Sequence, residues 1–73
     1  MLALMKYEKE LLHILDKEFK STNQIREELS KITGKAVNWL SLARWLEFLT
    51  KENKVEMKKL SNIFFWKKKN GKY

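Results

Sequence analysis

Apolar residues recur at three- and four-residue steps through the first part of the chain, with charged residues between them. Between residues 2 and 20 this spacing places the apolar side chains on one face of a helix and the charged ones on the other. The pattern therefore predicts a first amphipathic helix over residues 2–20. Its apolar stripe consists of Leu4, Tyr7, Leu11, Ile14, Leu15 and Phe19.

A second helix is predicted over residues 21–32. Ser21 and Gln24 have the spacing of a capping box, in which the hydroxyl accepts from the backbone and the Gln side chain reaches back. Gly34 permits the turn that ends this helix. The residues expected to face the core are Ile25, Leu29 and Ile32.

The third predicted helix, residues 34–52, is apolar over most of its circumference, with Thr33 as its N-cap. Because a helix that is apolar nearly all round must be buried, we expect it to be covered on more than one side. Its polar residues form a narrow stripe, consisting of Asn38, Ser41, Arg44, Glu47 and Lys51.

Residues 54–69 are predicted to form a β-hairpin. Apolar and charged residues alternate from residue 55 to 58, which is the period of a half-buried strand. Residues 63–66 favour β-structure, and the link at residues 60–62 is short enough for a hairpin. Residues 70–73 are expected to be a flexible tail.

Positive charge is concentrated near the end of the chain. The net charge is +7, and residues 51–73 alone carry eight lysines and two glutamates. A localised basic field suits a polyanion, because phosphates neutralised by lysine release their counterions. A lysine-rich solvated surface is the alternative interpretation.

Several classes of protein are excluded or disfavoured. With 73 residues and no cysteine, the chain is expected to be one domain without a disulfide framework or thiolate metal site. No apolar run is long enough to span a membrane, and the first residues lack the features of a signal peptide. An intracellular, cytoplasmic location is therefore expected, and no cofactor or small-molecule ligand is indicated.

No residue pattern points to catalysis. The single histidine, His13, is on the polar face of the first helix, and the adjacent or near-adjacent glutamates are expected to face solvent. Gly-rich phosphate loops and nucleophile motifs do not occur. We therefore expect that the protein is not an enzyme.

The order helix, helix, turn, helix, hairpin resembles the winged helix-turn-helix family. Ser21, Ile25 and Leu29 have a spacing similar to that of the family's second helix. Thr33 and Val37 have a spacing similar to the start of its recognition helix. The resemblance implies a mainly α, α+β fold with three helices and a C-terminal two-stranded hairpin, the wing.

The resemblance extends from about residue 4 to residue 69, and it implies a single domain over residues 1–69. Two positions depart from the family pattern: Arg26 stands where many members have alanine, and Trp39 where many have a polar or basic residue. The implied function is that of a double-stranded DNA-binding protein, in particular a transcriptional regulator.

The resemblance implies that the third helix enters the major groove while the wing contacts phosphates. Asn38 is suited to pairing with adenine, and Arg44 to guanine or a phosphate. The alternative is that these side chains are simply solvated, and that the wing lysines protect a strand edge. The predicted DNA-binding residues are Thr33, Lys35, Asn38, Trp39, Ser41, Arg44, Lys58, Lys59, Ser61, Asn62, Lys67 and Lys68.

Six aromatic residues between positions 39 and 66 exceed what so small a core is expected to bury. They are explained by the core, by a dimer interface, or by stacking on single-stranded nucleic acid. We expect core packing together with a homodimer formed through the first and third helices. A protein–protein interaction module and an RNA or single-strand binder using the hairpin aromatics remain the alternative functions.

Overall fold

The computed structural model describes residues 7–69, which form three helices and a three-stranded antiparallel sheet with strand order β1–β3–β2. This is an α+β fold, as predicted, with one strand more than the expected hairpin. No helix in this described range is long and apolar enough to cross a membrane. Residues 2–6 of the predicted first helix and the predicted tail 70–73 lie outside it. The elements are α1 Glu8–Ile14, β1 Lys20–Ser21, α2 Thr22–Thr33, α3 Trp39–Lys51, β2 Val55–Leu60 and β3 Ile63–Lys68.

The predicted extent of the first helix was wrong, because α1 ends at Ile14 and not at residue 20. The carbonyl oxygen of Leu15 accepts a hydrogen bond of 2.7 Å from the backbone N–H of Lys68. Strand β1 then pairs with β3. Helical periodicity continues through these residues, but the sheet supplies backbone hydrogen bonds that require an extended chain.

Helix α2 begins as predicted. The Ser21 hydroxyl accepts a hydrogen bond of 3.2 Å from the backbone N–H of Gln24, so Ser21 is the N-cap. The helix ends where Gly34 adopts a left-handed conformation with φ of 74°, which glycine adopts without a steric penalty. The expectation that Ile32 faces the core was wrong, because this last-turn residue is 52% exposed.

Helix α3 starts five residues later than predicted, at Trp39, and its N-cap is Asn38 instead of Thr33. Thr33 ends α2, and its hydroxyl accepts from the backbone N–H of Lys35 at 3.3 Å. The left-handed residue that ends α2 prevents the next helix from starting at once. Residues 34–38 therefore form the turn between α2 and α3.

Arg26 stabilises this turn. Its Nε–H donates a hydrogen bond of 3.1 Å to the carbonyl oxygen of Val37, whose side chain is buried. The long side chain spans the space between α2 and the turn. The departure from the family's usual alanine at this position is thereby explained.

The core lies between the three helices and the inner face of the sheet. One buried hydrogen bond crosses it, from Trp66 Nε1 of β3 to Thr22 Oγ1 at the start of α2, at 2.8 Å. The sheet is thereby joined to the helices. The buried hydrophobic residues are Leu11, Ile14, Leu15, Ile25, Leu29, Val37, Leu42, Leu46, Leu49, Val55 and Trp66.

Strands β2 and β3 form the predicted hairpin, in register from Val55 opposite Lys68 to Leu60 opposite Ile63. The two turn residues, 61 and 62, have φ values of 48° and 66°. Two residues with positive φ are typical of a type I′ turn, which matches the right-handed twist of paired strands. The tip of the hairpin is therefore a tight turn.

Candidate nucleic-acid interface

Only one side of α3 is covered by the described part of the chain, contrary to the expectation that its apolar circumference is buried on several sides. Its fully buried residues are Leu42, Leu46 and Leu49. Trp39 and Leu40 are 52% and 58% exposed. The helix therefore presents a long outer face to solvent.

This outer face combines apolar and charged side chains. Leu40, Arg44, Glu47 and Lys51 are all exposed and follow one another at steps of four, three and four residues. Such spacing places them along one face of a helix. Ser41, which the sequence places in the polar stripe, is half-buried at its margin.

Asn38 has a structural role that limits its use as a base-reading residue. Its Oδ1 accepts a hydrogen bond of 3.0 Å from the backbone N–H of Ser41. Bidentate pairing with adenine uses both the oxygen and the nitrogen of an Asn amide. Turning the oxygen towards a base would remove the cap, which stabilises a helix by about 1 kcal/mol.

The lysines of the hairpin are divided between the two faces of the sheet. Lys59 lies opposite Phe64, on the face that is turned towards α3. Lys58 lies on the other face, where its Nζ is 4.4 Å from the ring centroid of Phe19. Lys67 shares that outer face, because β-strand side chains alternate. The hairpin therefore offers positive charge on both sides.

A groove of about 470 Å³ separates α3 from the inner face of the hairpin. Its walls are largely apolar: the first two residues of α3 stand on one side and Met57 and Phe64 on the other. The alternation of apolar and charged residues in the sequence did not reveal this groove. The groove depends on the sheet register and on which face of α3 is left uncovered. Its lining residues are Thr22, Trp39, Leu40, Ala43, Glu47, Thr50, Lys51, Met57, Phe64 and Trp66.

Ion pairs hold the open end of the hairpin to the first helix and the segment that follows it. Lys54 Nζ lies 2.7 Å from Glu8 Oε2, and Lys68 Nζ lies 3.6 Å from Asp16 Oδ1. The hydrogen bond to Glu8 and the charge of that carboxylate raise the pKa of Lys54 above its ordinary value. Lys68 is thus at the α1 end of the sheet, away from the hairpin turn.

The remaining predicted site residues fall into two places. Thr33 is the last residue of α2 and Lys35 lies in the turn that follows, while Ser61 and Asn62 form the hairpin turn. Of the hairpin aromatics, Trp66 is buried and hydrogen-bonded, so its ring is not free to stack on a base. Of the predicted site residues, Trp39 lines the groove, while Arg44 lies on the outer face of α3 and Lys59 on the hairpin face turned towards α3.

Comparison with known proteins identifies the architecture. The chain is similar to hsRosR in two complex structures, hsRosR-S4 and hsRosR-S1, with TM-scores of 0.85 and 0.84 and 26% sequence identity in both. Each comparison covers 92% of this chain, which spans 59% and 61% of the two hsRosR chains. No protein-family model and no curated protein matches the chain. RosR is a winged-helix transcriptional regulator, and the fold described above is a winged helix.

Proposed function

We propose that this winged-helix domain, with the fold of the regulator RosR, binds double-stranded DNA and regulates transcription. The observation that carries the proposal is the likeness to RosR over 92% of the chain, which supports a DNA-binding regulator at the level of the fold. Because the RosR neighbours are regulators and not enzymes, we expect no catalytic activity. Residues 34–38 and α3 then correspond to the turn and recognition helix of a helix-turn-helix.

In this proposal α3 enters the major groove, which is wide enough for an α-helix. Its exposed outer face meets the steric requirement for such an approach. The first-turn residues then lie at the base edges, and Arg44 reaches guanine or a phosphate. Lys35, in the turn before α3, contacts the backbone at the same end of the helix.

The hairpin acts as the wing and contacts the phosphate backbone. Lys59 lies on the face of the hairpin that is turned towards α3, so both elements can engage one duplex. Lys58 and Lys67, on the outer face of the hairpin, contact phosphates that flank the DNA major groove. Ser61 and Asn62, at the hairpin turn, approach the sugar–phosphate backbone of the DNA. Contacts of this kind contribute affinity and register but carry little sequence information.

The test is selection of preferred sequences from a random duplex pool, followed by titration with the selected duplex, its single strand and the equivalent RNA at several salt concentrations. We expect a duplex preference, and a slope of log affinity against log salt of about −5 if six phosphates are neutralised. Binding with no preference for duplex, or no dependence on salt, would contradict the proposal.

A charge-matched pair of variants localises the interface. Lys59→Ala should weaken binding to all duplexes alike and reduce the salt slope by about 1, because one phosphate contact is lost. Lys17 is exposed in the segment between α1 and β1, and Lys17→Ala removes the same charge without removing a proposed contact. Equal effects of the two variants would show that only the net charge matters, and not the hairpin.

The apolar groove favours a second candidate, a protein-interaction module. Large exposed apolar patches are typical of surfaces that bind other proteins. Absence of nucleic-acid affinity in the titration would favour this function, whereas preference for single strands would favour an RNA or single-strand binder.

We further propose that two copies associate through α1 and the side of α3 that lies next to it. The ring of Trp45 packs edge-on against Tyr7, with centroids 5.6 Å apart and planes at 73°. Phe48, on the adjoining part of α3, is 41% exposed. Aromatic residues are enriched at protein interfaces, and a two-fold dimer would match a palindromic DNA site.

A further inference from the structure

The first turn of α3 offers apolar surface where a recognition helix contacts base edges. Trp39 and Leu40 are its first two residues, and both are more than half exposed. The neighbouring Asn38 has its amide oxygen engaged as the N-cap. Because the N-terminal residues of a recognition helix are the ones that contact bases, the contacts available here are largely those of carbon groups.

The major groove exposes one apolar group at the edges of the bases, the C5 methyl group of thymine. Met57 and Phe64 continue the apolar surface across the groove. Lys51 and Glu47 are the charged residues of the groove lining, and Arg44 is exposed on the same outer face of α3. An apolar patch flanked by cations is complementary to a methyl group set between charged phosphates.

We propose that Trp39 and Leu40 recognise thymine through its C5 methyl group. Preferred sites then carry thymine where the first turn of α3 enters the major groove. This inference rests on the proposed duplex binding and adds the base and the side chains that distinguish it.

The experiment replaces each thymine of the selected duplex singly by deoxyuridine, which keeps the base pairing but lacks the methyl group. Affinities are measured by fluorescence anisotropy at one salt concentration. We expect deoxyuridine at one or more positions to weaken binding about fourfold, the effect of one buried methyl-sized group. Leu40→Ala and Trp39→Ala should bring the ratio of the two affinities, thymine duplex to deoxyuridine duplex, towards one.

Ile32→Ala is the matched control, because it also removes a half-exposed apolar side chain, but from α2 and outside the groove. It should keep the thymine preference whether or not total affinity changes. Leu40→Gln keeps the side-chain length and serves as the second variant, and circular dichroism verifies folding of each protein.

The inference is overturned if every deoxyuridine duplex binds as tightly as the thymine duplex. It is also overturned if Leu40→Ala, Leu40→Gln and Trp39→Ala all retain the ratio. Salt-dependent duplex binding in either case would leave the proposed function standing, whereas absence of any duplex binding would refute both.

Discussion

The hydrogen bond between Trp66 and Thr22 permits a quantitative test of how the sheet is joined to the helices. Trp66 Nε1 donates to Thr22 Oγ1 at 2.8 Å, and the two residues are 5% and 9% exposed. Thr22→Val preserves the shape of the side chain but leaves the indole N–H buried without an acceptor. Such an unsatisfied donor costs about 1–3 kcal/mol.

This cost is large relative to the free energy of unfolding of a small domain. Native domains are stable by about 5–15 kcal/mol, and short chains bury the smallest fraction of their surface. For a domain of this size each kcal/mol lowers the melting temperature by about 4–8 °C. The loss in Thr22→Val should therefore be visible in both thermal and urea unfolding.

The assay is urea unfolding followed by far-ultraviolet circular dichroism, with Thr22→Ser as control. The serine variant keeps the hydroxyl and loses a methyl group, which costs about 0.8 kcal/mol. If the hydrogen bond dominates, valine is the more destabilising replacement. A valine variant as stable as the wild type, or a serine variant less stable than the valine variant, would refute the reasoning.

Two further predictions concern the helix start and the oligomeric state. Asn38→Ala should lower stability by about 1 kcal/mol through loss of the N-cap, while Asn38→Asp retains it; unchanged thermal unfolding of the alanine variant would show that the cap is unimportant. Light scattering at micromolar concentration should give the mass of a dimer, and Phe48→Glu should give a monomer because it places a charge in the proposed interface. A monomeric wild type would remove the dimer from the proposal.

Local patterns were sufficient where the partners are close in sequence. Ser21 and Gln24 are three residues apart, so their capping contact could be predicted directly. The hairpin followed from two β-favouring segments and a short link. Leu11, Ile14 and Leu15, which belong to the apolar stripe predicted for the first helix, are buried in the core.

Errors arose where distant segments compete with local preference. The helical spacing of residues 15–20 gave no indication that β3 would pair with this segment. Residues 34–38 were assigned to the third helix with Thr33 as its N-cap, but they form a turn held by Gly34 and by Arg26, eleven residues from its acceptor Val37. These two errors moved the end of the first helix and the start of the third, and the first of them also concealed strand β1.

The sequence by itself determined the number and order of the main helices, the hairpin and the concentration of lysines near the end of the chain. Only the tertiary structure decided that Trp39 and Leu40 are exposed beside the hairpin, and that Lys59 lies on the hairpin face turned towards α3 while Lys58 lies on the other. The spacing of apolar residues, together with composition, specifies which residues share a face of one helix or strand. The direction of that face depends on strand register and packing, which are set by residues far apart in the chain.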